Sequence, residues 1–436
     1  MYKAKLKAIV LAALACALVA LPALAESHVR IVRLSDVQGA VQIDKGMGLG
    51  FENAFINLPI IEGTQVRSRG DGRAEIEFED GSSLRIAPGT TVRFSRLGLN
   101  DAGKRVSTVD LMKGRAYVNW LGKSGDDFSL HSAAEKIELS RPAHFRVESD
   151  PKRVEIASFK NELEVETPAG AVKVEKNRSV SFDADQGDKP LVAKLSKEDS
   201  YDAWDKQAIE YHDQYASSKS AQNGYGFSDL NYYGTYNNLP GYGMLWQPFF
   251  AGAGWNPFMD GAWSWYPGMG YMWASAYPWG WMPYNYGSWI FAPGFGWGWQ
   301  PGGFSAGQGG LHYVGAAVGF RPPVAPVGSV ATVAVGKGGA VKALVAASGP
   351  RMVVRGGSAG LGIPRGSFDG LRRLNSQVEK TGFVEVHPTA QFSATASRNE
   401  GFGFGAAHPT SMGEAGHGGA ASSGHAAAAG GHGGRY

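Results

Sequence analysis

Aromatic side chains are the residues in this sequence whose types and spacing suggest a shared task, and the chemistry they offer is stacking. The candidates are Trp255, Trp263, Trp265, Trp273, Trp279, Trp281, Tyr284, Trp289, Trp297 and Trp299. Laid over itself at an offset of 26, this stretch matches. Trp255 falls on Trp281, Gly261 on Gly287, Trp263 on Trp289, Pro267-Gly268 on Pro293-Gly294, and Trp273 on Trp299. Matches at one fixed period mark an internal repeat. An indole carries a large apolar body and a single donor. A row of them either builds the core of a small glycine-rich domain or forms a partly exposed platform for sugar rings, peptide or an envelope partner. On the sequence alone both readings stand. Between Ala221 and Gly310 the only charged side chains are Asp229 and Asp260. That argues against nucleic acid, where neutralised phosphates supply most of the affinity.

Bond-making chemistry is harder to find. There is no Gly-x-Ser-x-Gly elbow, no His-Glu-x-x-His pair and no Gly-Lys-Ser/Thr phosphate loop. His131 and His144 fall on expected strands without a ligand-spaced Cys or carboxylate. Asp126-Asp127, and Glu77 with Glu79, are expected on an exposed face. They lack the apolar pocket that would raise one carboxyl for acid catalysis. His408, His417, His425 and His432 recur in a Gly/Ala-rich tail. Such tails chelate copper or nickel weakly at best. No catalytic residue, metal site or cofactor is expected.

The elements that would position the rings follow from local pattern. Trp263 with Trp265, and Trp297 with Trp299, alternate and so share a strand face. Pro267-Gly268 and Pro293-Gly294 suit type II turns. Each unit is therefore a hairpin, and a lone hairpin is marginal in water without a neighbour or a scaffold. Trp246-Gln247-Pro248 echoes Trp299-Gln300-Pro301, a partial earlier copy.

Upstream, residues 28–195 read as an all-β domain of short strands and turns, a sandwich or solenoid-like barrel. In Arg73–Glu79 the residues Ala74, Ile76 and Phe78 point one way and Glu75, Glu77 and Glu79 the other, which predicts a solvated acidic face. Residues 196–218 change period. Trp204, Ala208, Tyr211 and Tyr215 make one stripe of an amphipathic linker helix, expected to pack on the β-domain or to serve a partner. Residues 221–303 hold the aromatic hairpins. Residues 304–398 are a sparse basic region with strands near Val330–Val345 and Phe383–Val386 and a short helix at Phe368–Lys380. Residues 399–436 have the composition of a disordered tail.

Residues 1–25 have the three parts of an export signal: Lys3, Lys5 and Lys7, an apolar run Ala8–Leu21, and Ala23-Leu24-Ala25 before Glu26. An uncleaved anchor is the alternative. Cys16, the one cysteine, lies in the leader, so the mature chain would hold no disulfide. No other segment is apolar enough to span a bilayer. The net charge of +3 implies no acidic partner.

Two families are resembled. Leu58-Pro-Ile-Ile-Glu-Gly-Thr-Gln-Val-Arg-Ser, then Ala74-Glu-Ile-Glu-Phe-Glu-Asp-Gly-Ser-Ser-Leu-Arg-Ile, then Leu111-Met-Lys-Gly-Arg-Ala-Tyr-Val are similar to the FecR-type periplasmic domain, over roughly residues 30–185. Founding members of that family sit in the inner membrane and relay iron-siderophore status to a sigma factor. This sequence lacks the cytoplasmic segment and internal span of such a relay. The resemblance therefore implies fold and compartment more than the regulatory task. Pro278-Trp-Gly-Trp-Met-Pro-Tyr-Asn-Tyr-Gly-Ser-Trp289 resembles a Trp/Tyr-rich domain of unknown function that follows FecR-type domains in secreted bacterial proteins. The expectation is a non-catalytic scaffolding protein of the envelope, periplasmic or secreted, contacting a cell-wall glycan or envelope protein through its rings. The alternative is a FecR-like sensor that regulates a sigma factor or an outer-membrane receptor.

Overall fold

The computed structural model describes residues 30–122, 125–216, 226–249, 251, 255, 257, 261–266, 270–301, 333–334, 352–355 and 383–386. For Ala262, Trp263, Trp265, Gly270, Tyr271 and the last three segments it describes the backbone alone. The leader, the Pro267-Gly268 turn, the expected helix at 368–380 and the histidine-bearing tail lie outside these residues. The described chain is mainly β, and all of it belongs to one compact unit.

Fifteen strands form the first sheet. In chain order they are β1 (Val32–Asp44), β2 (Glu52–Asn53), β3 (Pro59–Ile60), β4 (Gln65–Glu77), β5 (Ser83–Ile86), β6 (Thr91–Leu99), β7 (Arg105–Trp120), β8 (Asp127–Ser132), β9 (Glu135–Leu139), β10 (Ala143–Ser149), β11 (Arg153–Lys160), β12 (Leu163–Thr167), β13 (Gly170–Val174), β14 (Arg178–Asp183) and β15 (Leu191–Lys194). The long strand β7 is the hub. Its first half pairs β6 antiparallel and β8 in parallel; its second half pairs β5 and β10 antiparallel. One face buries a continuous apolar core that includes Ile76, Leu84, Val118, Phe145 and Ile156. Within it Phe78 meets Trp120 and Phe128 edge-on.

Helix α1 (Ser200–Tyr215) follows, shorter than the expected 196–218. Asp199 caps it. Its carboxylate accepts from the Tyr201 and Asp202 backbone N–H groups, while Asp202 accepts from the Asp199 N–H, a capping box. Helix α2 (Phe227–Tyr233) leads into three hairpins: β16 (Gly234–Leu239) with β17 (Gly243–Pro248), β18 (Gly261–Tyr266) with β19 (Gly270–Ser275), and β20 (Ser288–Ala292) with β21 (Gly296–Gln300). Helix α3 (Met282–Asn285) lies between the last two. β17 pairs β21, giving the order β16-β17-β21-β20. β22 (Val333–Ala334) pairs β18, and β23 (Met352–Arg355) pairs β24 (Phe383–Val386).

The repeat thus has three hairpins where the sequence suggested two and a fragment. The cross-strand pairs Tyr236–Trp246, Trp263–Trp273 and Trp289–Trp299 occupy equivalent places. The turns of the first and third hairpins are also alike. Tyr242 N–H donates to Leu239 O and Phe295 N–H to Ala292 O, with Gly241 at φ +82° and Gly294 at φ +80°. Those are type II turns, with Pro at the first central position and Gly at the second.

Candidate functional site

Two features gather the polar and aromatic groups of this molecule: a charged row beneath α1 and the aromatic core beyond it. The row is set by strand register. Glu75 pairs Arg85, Arg85 pairs Tyr117 and Tyr117 pairs Arg146, so four adjacent strands place these side chains in one line. All lie on the sheet face opposite the apolar core. Alternation alone predicts this face in water. The structure corrects it: Glu75 and Glu77 are buried, and Glu79 is nearly so beneath Arg30. What covers the row is α1.

The helix meets the row with acids at every third position. Asp199 pairs Arg115, Asp202 takes Arg146 at 2.7 Å, and Asp205 takes Arg85 at 2.8 Å. Tyr117 donates to Asp202 at 3.0 Å. Arg85 also donates to Glu75 at 2.8 Å, and His212 Nε2 lies 3.0 Å from the other Glu75 oxygen. His144 Nε2 lies 2.6 Å from Asp205. His144 therefore does have a carboxylate partner, from a distant helix rather than a nearby sequence position. Burial would lower the Arg85 and Arg146 guanidiniums, but their carboxylate partners hold both above the usual value. Burial and the Asp202 charge push the Tyr117 phenol far up. These acids are saturated by arginine, histidine and tyrosine, so the network holds elements together and offers no free base. Asp126, expected on an exposed face, is likewise buried and paired with Arg105.

Arg33 joins the β-domain to the aromatic module. It is fully buried. Its guanidinium donates to Asn57 Oδ1 at 3.0 Å, Glu77 at 3.1 Å, Asp229 at 2.6 Å and the Pro278 carbonyl at 2.7 Å. Asn57 donates in turn to the carbonyls of Ser275 and Tyr277. Asp229 accepts from the Tyr211 hydroxyl of α1 at 2.8 Å. Nearby, Lys45 reaches Ser264 at 2.7 Å and Glu52 at 2.6 Å, and Tyr266 donates to the Pro59 carbonyl. Burial pulls the Lys45 ammonium below its usual value.

The rings themselves mostly form a core. Trp255, Trp273, Trp279, Trp281, Trp299 and Tyr284 are buried, together with Trp246, Tyr233 and Tyr277. For these six candidates the expectation of a contact surface does not hold. The physical reason is the register: Trp246, Trp299 and Trp289 stand in one row across β17, β21 and β20, and that face packs on Trp255, Trp279 and Tyr284. Three indole donors are spent internally, Trp246 on the Leu230 carbonyl, Trp255 on the Tyr277 hydroxyl and Trp299 on the Tyr286 carbonyl. Glycines admit the rings. A Cβ on Gly234 would sit 2.3 Å from the Trp246 ring, and one on Gly261 2.2 Å from that of Trp273. Of the remaining candidates, Trp289 and Trp297 are half-buried, and the side chains of Trp263 and Trp265 lie outside the described residues. The open end of the third hairpin carries Phe291, exposed and edge-on to Trp297 at 5.6 Å. Phe291, with Tyr242 and Met244 on the first hairpin, was not among the sequence candidates, though the matching Pro240-Gly241 and Pro293-Gly294 turns mark where both tips fall.

Among the described residues no group of three His, Cys, Asp or Glu side chains could hold a metal ion, and no helix is long and apolar enough to cross a membrane. Comparison with known proteins places the two parts. Residues 64–164 match the FecR protein family, and residues 227–328 match a family of unknown function, DUF6600. No curated protein matches the chain. Two crystal structures from Parabacteroides distasonis ATCC 8503, each described as an anti-sigma factor, are similar to part of it. One is 14% identical over 34% of this chain and 71% of its own; the other is 13% identical over 37% and 81%; the TM-score is 0.28 for both. The chain thus holds a segment that matches the FecR protein family, followed by a segment that matches DUF6600.

Proposed function

We propose that this chain is a non-catalytic regulator of the FecR type, acting outside the cytoplasm through protein contacts, with its FecR and aromatic segments working as one body. The FecR match at residues 64–164 carries the reading. The junction supports it: Arg33 contacts Asn57 and Glu77 on one side and Asp229 and Pro278 on the other, so a partner gripping either segment pulls on both. The export pattern of residues 1–25 supports the compartment. In this reading the partner is a component of sigma-factor or outer-membrane-receptor signalling. The test is deletion and complementation in the native host, with transcripts profiled. One regulon should shift and be restored by the intact chain but not by one lacking residues 64–164. A transcript profile indifferent to the deletion would sink the proposal.

A second reading, envelope scaffolding by contact with a cell-wall glycan, draws on the charge-free surface left at Phe291, Trp289 and Trp297. Sedimentation with purified peptidoglycan checks it. Co-sedimentation that survives Phe291→Ala with Trp297→Ala would remove this surface from consideration.

A further inference from the structure

Strand β20 ends the four-stranded sheet, and among the described residues nothing pairs its outer edge. Its sequence is Ser288-Trp-Ile-Phe-Ala292, without charge or proline, and its pairing with β21 has no bulge. Folded proteins usually guard such edges with lysine, proline, bulges or a cover. Three of the other open edges are guarded. β15 follows Pro190 and ends on Lys194; β13 carries Lys173; β16 carries Asn237 and Asn238 and runs into Pro240. β20 also exposes apolar surface: Phe291 is 56% exposed, and Ile290 is half-buried.

The chain already shows how its hairpins join. The first and third meet edge to edge, antiparallel, with Trp246 opposite Trp299. The remaining edge of the third hairpin, unpaired among the described residues, can repeat that mode. An antiparallel pair formed by two copies of one strand sets like residues near each other, so a charge on the strand would face its own copy. β20 alone among the open edges named above is both apolar and free of guards, which suits pairing with itself. We propose that β20 is the contact between two copies of this chain, pairing antiparallel about Ile290 so that one sheet runs through both. The proposal rests on the edge alone and does not depend on the FecR reading.

The test is sedimentation velocity on the mature chain over a concentration series. A monomer–dimer equilibrium is expected. Ile290→Lys, which forces a charge into the seam, should weaken association roughly tenfold or more. Ser288→Lys, at a position already exposed, should weaken it in the same direction should Ile290→Lys fold poorly. Asn238→Lys, on the opposite edge, should leave it unchanged. Ile290→Cys, in a chain with no other thiol after the leader, should give a disulfide-linked dimer on mild oxidation, and Asn238→Cys should not. A monomer at every concentration overturns the proposal, as does a dimer indifferent to both lysine variants. So does a monomer that floats with phosphatidylcholine vesicles and loses flotation on Phe291→Ala, because lipid would then be the occupant.

Discussion

Replacing Arg33 with methionine should unlatch the aromatic module from the β-domain. Methionine keeps much of the length and apolar stem but donates nothing. Glu77 and Asp229, with side chains 2% and 1% exposed, would lose the guanidinium that faces both. Removing one partner of a buried ion pair costs about 3–5 kcal/mol. Here the low end applies, because Glu77 still accepts the Gly226 N–H and Asp229 the Tyr211 hydroxyl. With a urea dependence of about 1–3 kcal/mol per molar, a loss of about 3 kcal/mol moves the midpoint by roughly 1–3 M. Ten of the twelve tryptophans lie between Trp246 and Trp299, so indole emission follows the aromatic module, while far-ultraviolet circular dichroism follows the sheet. The two signals should coincide in the native chain and separate in Arg33→Met, emission changing first. Adding Glu77→Gln and Asp229→Asn to Arg33→Met should recover much of the loss. A midpoint that barely moves, or a triple variant no better than the single one, would show that the unpaired carboxylates are not the source of the effect.

Three further outcomes follow from the same contacts. Trp299→Ala should destabilise by about 3–5 kcal/mol and Phe291→Ala by less than about 1 kcal/mol, since one ring is core and the other is exposed; equal thermal shifts would contradict the burial. Gly234→Ala should cost about 1–3 kcal/mol by pushing the Trp246 ring aside, read as lost near-ultraviolet ellipticity together with a lower melting temperature. For Asp199, burial raises the carboxyl but the Arg115 hydrogen bond and charge and the backbone N–H groups outweigh it, so its folded value lies below the ordinary 3.8. The native state then binds fewer protons than the unfolded chain. The contribution is full above pH 3.8 and fades as pH falls through the lower folded value. Asp199→Asn should flatten the acid limb of stability in that window, and an unchanged acid limb counts against the Arg115 contact.

What was legible in the sequence was local. Alternation in Ala74–Phe78 placed the apolar side chains correctly, and the period of 26 located the hairpins, because strand pleat and turn chemistry act over a few residues. The fate of the other side of that strand was not legible. Glu75 and Glu77 look solvated in isolation, and they are buried because Arg33, His212 and the acids of α1 arrive from far along the chain to join Arg85 of the neighbouring strand. The helix misled in the same way. Its aromatic stripe was visible, but Asp202, Asp205 and His212 form a second stripe beside it, and nothing local says that this one docks as well. The rings were ambiguous from the outset. A row of tryptophans reads alike as core or as surface until register shows which side of the sheet is roofed.

The glycines under Trp246 and Trp273 tie two distant positions into one choice. A side chain at either glycine evicts the ring, and a smaller ring leaves a void, so neither site can drift alone. Change in such an array is easiest in whole ribbons: a complete hairpin can be gained or dropped with its glycine, its indole and its Pro-Gly turn intact. The length of this segment should therefore vary among related chains in steps of about 26 or 27 residues, as the spacing of its own three copies already does.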